Sequence, residues 1–253
     1  MAYVFKKRLA NRANYGSKRA LGSIKYVVIH YTANDGDTDE GNSNYFANNI
    51  VKASAHYFVD GDSVTQSVPD DYIAYSVGGG KYTDCNKTGG GKLYGQCTNS
   101  NSISIELCDE VKDGVSDFSS ATLDNAIALT RSLMKKYNID INRVIRHFDV
   151  TGKQCPKPFV DNNRWKEFKS MITGSGDLTM SQYEELKNEI RQMKEKSTPM
   201  IYNYIDNNMP EWARPTIQKL VDKGVLKGDG DGLNLTEDLV RMLVINDRAG
   251  LYD

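Results

Sequence analysis

Residues 24–31 (IKYVVIHY) are an almost unbroken run of β-branched and aromatic side chains, which predicts a buried strand. Residues 54–60 (SAHYFVD) predict a second strand. The Asp60-Gly61-Asp62-Ser63 turn leads from it into residues 64–68 as a hairpin partner. Residues 102–108 (SISIELC) alternate with period two, as a half-buried strand does. From Ser119 to Tyr137 the period changes. Leu123, Ala126, Ile127, Leu133, Met134 and Tyr137 fall on one helical face, with Ser119 or Ser120 as N-cap. Residues 143–147 (RVIRH) predict a short strand. Asp161 is expected to cap a last helix carrying Trp165, Phe168 and Ile172. Residues 77–100 form a Gly/Tyr/Asn-rich stretch too long for a plain connection, which points to a functional loop.

The pattern changes again past Thr173. Tyr183, Leu186, Ile190 and Met193 are spaced 3-4-3 among charged residues over 178–196. That fits one amphipathic helix packed on a domain, or a short coiled coil. Residues 210–223 and 236–247 predict two helices around a Gly-Asp-Gly-Asp-Gly turn at 228–232. The turn lacks the D-x-D-x-D-G pattern of a calcium loop. Charge shifts at the same place: residues 1–173 carry 22 Lys+Arg and 19 Asp+Glu, residues 174–253 carry 10 and 14. The step falls on the linker-like Thr173-Gly174-Ser175-Gly176-Asp177. Two domains follow, 1–173 and a smaller helical one over 174–253.

Composition narrows the function. With 39% hydrophobic and 26% charged residues in 253, the chain is an ordinary globular one, neither disordered nor collagen-like. A net charge of −1 argues against a globally basic nucleic-acid binder. No apolar run approaches the roughly 20 residues of a membrane helix, so no membrane insertion is expected. The opening MAYVFKKRLANRANYGSKRALG is charged throughout and has no apolar core, so it is not read as a secretory signal, and synthesis in a cytoplasm is expected. Cys85, Cys97 and Cys108 are then expected as buried small side chains or free thiols, with a disulfide across the glycine-rich loop as the lesser alternative.

The chain has only three histidines, His30, His56 and His147. His30 and His147 end predicted strands, and Cys155 follows in a Pro/Gly-containing loop. Two imidazoles and one thiolate are a known catalytic zinc set that leaves a fourth position open. The spacing alone also fits strand-end histidines held by ordinary hydrogen bonds.

The words around these residues carry more. V-V-I-H-Y-T at 27–32, S-A-H-Y-F-V-D at 54–60, S-I-S-I-E-L at 102–107, R-H-F-D-V at 146–150 and G-K-Q-C-P at 152–156 occur in this order. As an ordered set they resemble the type-2 zinc amidases, the N-acetylmuramoyl-L-alanine amidases of phage lysozymes, bacterial autolysins and peptidoglycan recognition proteins. The resemblance covers about residues 20–172. It implies an α/β fold with a mixed central sheet flanked by helices and zinc at the strand ends. It implies His30, His147 and Cys155 as the Zn2+ ligands, Glu106 as general base and Lys153 as a group acting on the transition state. The short phage lysozymes use instead a tyrosine directly before the second-strand histidine; that position here is Ala55, which favours Glu106. His56 matches a family histidine that is not a ligand. It is read as lining the cleft and binding substrate, with a structural histidine bonded to a backbone carbonyl as the alternative.

The resemblance further implies a hydrolase of the bond between N-acetylmuramic acid and L-alanine in peptidoglycan. Together with the absent signal, it suggests a phage or prophage endolysin that waits in the host cytoplasm until lysis and then attacks a Gram-positive cell wall. Residues 212–232 resemble part of one S-layer-homology-type repeat, which suggests a wall-binding or oligomerising tail and a homodimer through it. The rival readings are a non-catalytic peptidoglycan recognition module, a zinc endopeptidase acting on stem peptides, and a protein in which His30, His147 and Cys155 never meet.

Overall fold

The structure is a computed structural model that describes residues 3–174, 180–197 and 200–253. Two compact units divide between Glu185 and Leu186. Ser175, Gly176 and Asp177 of the expected linker lie outside the described residues. The first unit extends past the charge step because Tyr183 packs against its core.

In chain order the first unit comprises β1 (Val4–Lys7), β2 (Tyr15–Lys18), β3 (Tyr26–Tyr31), α1 (Asp39–Asn48), β4 (Tyr57–Val59), β5 (Ser63–Gln66), β6 (Tyr72–Ala74), α2 (Cys85–Thr88), β7 (Ser102–Leu107), β8 (Glu110–Lys112), β9 (Val115–Asp117), α3 (Ser120–Tyr137), β10 (Val144–Arg146), α4 (His147–Thr151), α5 (Asn162–Thr173) and the start of α6 (Met180–Ser197). Six strands form the main sheet in the order β1-β5-β4-β7-β3-β10. The β4–β5 hairpin is antiparallel and the other pairs are parallel, so the sheet is mixed. β3 and β7 lie next to each other near its centre, with His30 opposite Glu106 and Phe58 of β4 on the other side of Glu106.

Alternation along the central strands sorts the side chains. Val27, Ile29, Ile103, Ile105 and Leu107 join the main core with α3 and with Trp165, Phe168 and Ile172 of α5. The opposite face carries Val28 and Ile145, covered by Val77, Cys97 and Val150. Phe46 of α1 stacks on Phe58 there, ring centroids 5.4 Å apart. Helices therefore flank both faces. This corrects the half-buried reading of residues 102–108: all of β7 except Glu106 is buried, because a central strand is covered on both sides.

Local signals account for the elements. Ser119 caps α3, its side chain accepting from Thr122 N, and Asp161 caps α5 through Asn163 N and Arg164 N. The strand expected over residues 143–147 stops at Arg146, and His147 opens α4. Helix α1 was not foreseen. Its sequence, DEGNSNYFAN, has no apolar stripe. It forms on the Thr38 cap, which accepts from Gly41 N at 3.0 Å, with Asp39 and Glu40 in the first turn.

The second unit pairs β11 (Ile201–Tyr202) with β12 (Leu235–Thr236) beside α7 (Arg214–Asp222) and α8 (Glu237–Arg248). Tyr202, Met209, Ala213, Ile217, Leu235, Val240 and Val244 form its core. The two helices agree with the periodicity. The glycine-rich turn closes through Asp229 N donating to Gly232 O at 3.1 Å. A Cβ on Gly232, φ +150°, would lie 2.5 Å from Asn203 Cβ, so the turn is packed closely against Asn203. Leu186, Ile190 and Met193 of α6 are exposed.

Candidate functional site

Three elements deliver the donor set. His30 stands at the end of β3, His147 at the start of α4 and Cys155 in the loop after α4. Their ligand atoms all lie within 4.8 Å of one another, the one such cluster among the described residues. Cys155 Sγ is 3.7 Å from His30 Nδ1, and the His30 and His147 ring centroids are 4.8 Å apart. Phe148 N donates to Cys155 O at 2.8 Å, tying the loop back to the helix. All three residues are buried.

The loop over residues 77–100 holds this turn from behind. Tyr82 N donates to Thr151 O at 2.8 Å, Gly91 N to Phe148 O at 2.9 Å and Leu93 N to Asp149 O at 2.9 Å. Gly152 ends α4 at φ +88°, and a Cβ there would lie 2.4 Å from Cys85 Sγ. The length of the loop is explained by this contact: it fixes the segment that carries His147 and leads to Cys155. On the other side Arg146 donates to Asp149 Oδ1 at 2.7 Å and to Phe159 O at 2.7 Å.

Electrostatics keep the donors neutral. Burial, then the neighbouring His147, Lys153 and His56, holds His30 well below the usual imidazole range. Burial and Lys153 push His147 down to about 4. Burial and the Glu106 carboxylate push the Cys155 thiol up. His30 Nε2 and both His147 ring nitrogens are buried with no hydrogen-bond partner among the described residues. Unpaired buried polar atoms are costly, and a cation taking the single lone pair of each neutral imidazole relieves part of that cost. Two imidazoles and a thiolate match the softness and ligand number of zinc. The residues present therefore fit a metal.

Glu106 stands beside the cluster, Oε1 3.8 Å from His30 Nδ1. Its side chain is 21% exposed, while Oε2 is buried and unpaired. Burial pushes its pKa up to about 8; Lys153 opposes this, and the Asp37 and Asp109 carboxylates reinforce it. A cation at the cluster acts in the same direction as Lys153. Glu106 and Lys153 both line a cleft of about 700 Å3, with Tyr31, Asn34, Tyr45 and Tyr75 among its other walls.

The structure thus brings together His30, His147, Cys155, Glu106 and Lys153. It does not bring His56 to the cleft. That ring is fully buried: Nδ1 accepts from Ser104 N at 3.0 Å and Nε2 lies 3.1 Å from Tyr72 O. Burial and the Arg19 guanidinium, 2.8 Å from Nε2, push its pKa down to about 3. The substrate-binding reading of His56 is corrected to the structural one, because both ring nitrogens are taken. Asp37 was missed. It lines the cleft, and its Oδ1 is buried without a partner; no periodicity marks a carboxylate in the 32–38 loop. All four cysteines are free and buried, so no disulfide spans the glycine-rich loop.

The family model for N-acetylmuramoyl-L-alanine amidase matches residues 20–158. The chain belongs to this amidase family. Among curated relatives, the amidase CwlL of Bacillus licheniformis is 34% identical over 168 residues, 64% of this chain and 44% of the relative. BlyA of Bacillus subtilis (strain 168) is 35% identical over 156 residues, 60% of this chain and 42% of the relative. The match thus spans less than half the length of these two relatives. Among solved structures, PlyL is 30% identical with a TM-score of 0.53, covering 69% of this chain and 99% of that one. The similarity to CwlL covers about as much chain as the expected 20–172, and His30, His147 and Cys155 lie within the residues the family model matches.

Proposed function

We propose that this chain is a zinc-dependent N-acetylmuramoyl-L-alanine amidase, cutting the amide bond between the lactyl group of N-acetylmuramic acid and L-alanine in peptidoglycan. The observation that carries the reading is the meeting of His30, His147 and Cys155 in one buried cluster beside Glu106, in a member of the amidase family. Zinc held by these three residues supplies a Lewis acid that polarises a carbonyl and acidifies water near neutral pH.

The chain's own groups do the rest. Glu106, raised by burial and drawn back by nearby positive charge, exchanges a proton near neutrality. It takes a proton from the attacking water and delivers it to the alanine nitrogen as the C–N bond breaks. Lys153 brings positive charge to the cleft where the carbonyl oxygen gains negative charge. The tyrosines of the cleft offer flat apolar surface to a sugar or peptide.

Relatives from Bacillus support a Gram-positive wall as the target, and the likeness to a Bacillus subtilis endolysin, 28% identical with a TM-score of 0.52, supports a phage or prophage lytic role. In that role the protein stays in the host cytoplasm until lysis. The second unit serves wall attachment or oligomerisation. N-terminal analysis of digested walls tests the reaction. New L-alanine termini support it; other new termini indicate an endopeptidase, and no cleavage indicates a recognition module.

A further inference from the structure

The first unit carries a second hollow on the sheet face that holds the cleft. It is a cavity of about 430 Å3, with Val77, Gly78, Tyr94, Cys97, Asn99 and Val150 among its walls. Val77, Cys97 and Val150 are buried and belong to the cluster that covers Val28 and Ile145. They give the cavity an apolar floor. Tyr94 is 47% exposed. One short segment separates the two hollows: Tyr75 and Ser76 line the cleft, and the next three residues line this cavity.

Asn99 is spent on one side only. Its Oδ1 accepts from Ser76 N at 3.1 Å and from Val77 N at 2.8 Å, which fixes the segment between the hollows. Its Nδ2 donates to nothing among the described residues, and a Cβ on Gly78 would lie 3.6 Å from that nitrogen. The Tyr94 hydroxyl is likewise unbonded among the described residues. No carboxylate, ammonium or guanidinium lines the cavity. The charged groups of a stem peptide would lose water here and gain no partner. A neutral N-acetylated sugar meets each feature instead. The apolar side of its ring suits the tyrosine face, its acetamido methyl suits the apolar floor, and its acetamido carbonyl accepts from Asn99 Nδ2.

We propose that this cavity is a glycan subsite, binding a further N-acetylated sugar of the strand whose muramic acid occupies the cleft. The inference rests on the amidase reading and adds to it a preference for stems still attached to a glycan chain over stems on a single sugar.

The test uses the full-length protein with Tyr94→Ala, which removes the ring, and Gly78→Val, which fills the cavity beside Asn99 Nδ2. Zinc content and unfolding midpoints are measured on each. Calorimetry follows binding of chitotetraose, the β-1,4-linked tetramer of N-acetylglucosamine. Kinetics compare an N-acetylmuramoyl peptide with an uncrosslinked glycan chain bearing the same stem. The expected result is that chitotetraose binds the wild type and binds each variant about three- to tenfold more weakly, the size of one aromatic or hydrogen-bonding contact. KM for the glycan chain should rise by the same factor, with KM for the single-sugar substrate unchanged. Variants that bind chitotetraose as the wild type does, or that raise KM on both substrates alike, would overturn the proposal. So would a wild type that does not bind chitotetraose. A wild type that cuts neither substrate overturns the amidase reading, and chitotetraose binding then decides the cavity by itself.

Discussion

Replacing Gly152 by alanine probes how the ligand-bearing turn is held. Gly152 has φ +88°, a region costing other residues about 1–2 kcal/mol. The new Cβ would lie 2.4 Å from Cys85 Sγ and 3.3 Å from Tyr82 Cβ. Neither neighbour can retreat freely, since Cys85 Sγ donates to Thr151 O at 3.4 Å and Tyr82 N donates to the same oxygen at 2.8 Å. Overpacking of this kind costs about 1–3 kcal/mol. The sum, about 2–5 kcal/mol, is a large part of a typical domain's stability. Urea unfolding of Gly152→Ala, Cys85→Ala and the double variant separates the two contributions. Removing the sulfur should relieve the clash and leave the backbone strain, giving a coupling of about 1–3 kcal/mol. Zinc content should fall in Gly152→Ala and recover in part in the double variant. A Gly152→Ala protein within about 0.5 kcal/mol of wild type, the range of an ordinary surface change, would refute the reasoning.

Other outcomes follow from the same geometry. Burial alone would raise the Asp70 pKa, but hydrogen bonds from Lys136, Tyr137 and Tyr57 outweigh it and hold it below the usual carboxylate value. Asp70→Asn should therefore cost about 1.5–3 kcal/mol at pH 7, and the gap to wild type should close as pH falls through the depressed pKa, read by urea midpoints from pH 7 to 3. Because burial keeps the Cys155 thiol protonated and both histidines neutral, and because a cation draws the raised Glu106 pKa back down, zinc binding at pH 7 should release at least one proton; calorimetry in buffers of different ionisation enthalpy measures it, and zero release would contradict the assignment of Cys155. His56→Ala should lower the unfolding midpoint, since it strands Ser104 N and Tyr72 O, while leaving the KM for a soluble muropeptide unchanged.

Much of the first unit is legible in its sequence because the core strands and α3 obey strong periodicities. Residues 24–31 read as buried and β3 is buried on both faces. α1 escaped because its sequence gives no apolar stripe, and a cap plus acidic first turn is too local a signal by itself. The His30, His147 and Cys155 set was visible as two strand-end histidines and a loop cysteine, but their convergence depends on register. His30 meets Glu106 only because β3 and β7 pair in parallel at that position. His56 misled because strand position alone does not say which ring atoms are spent; Ser104 and Tyr72, far from it in sequence, decide it. The role of the 77–100 loop was foreseen only as something functional. Its packing against Gly152 is a close approach that no composition reveals.

The most direct measurement compares wild type with Glu106→Gln on a soluble muropeptide containing the N-acetylmuramic acid–L-alanine bond, with zinc determined on both proteins. The expected result is about one zinc in each, cleavage at that bond by the wild type, and a loss of about 10²–10⁴ in rate for Glu106→Gln. A wild-type protein that holds no zinc after metal-replete preparation, or a Glu106→Gln protein that cuts as fast as wild type, would contradict the assignment of this cluster as a hydrolytic centre.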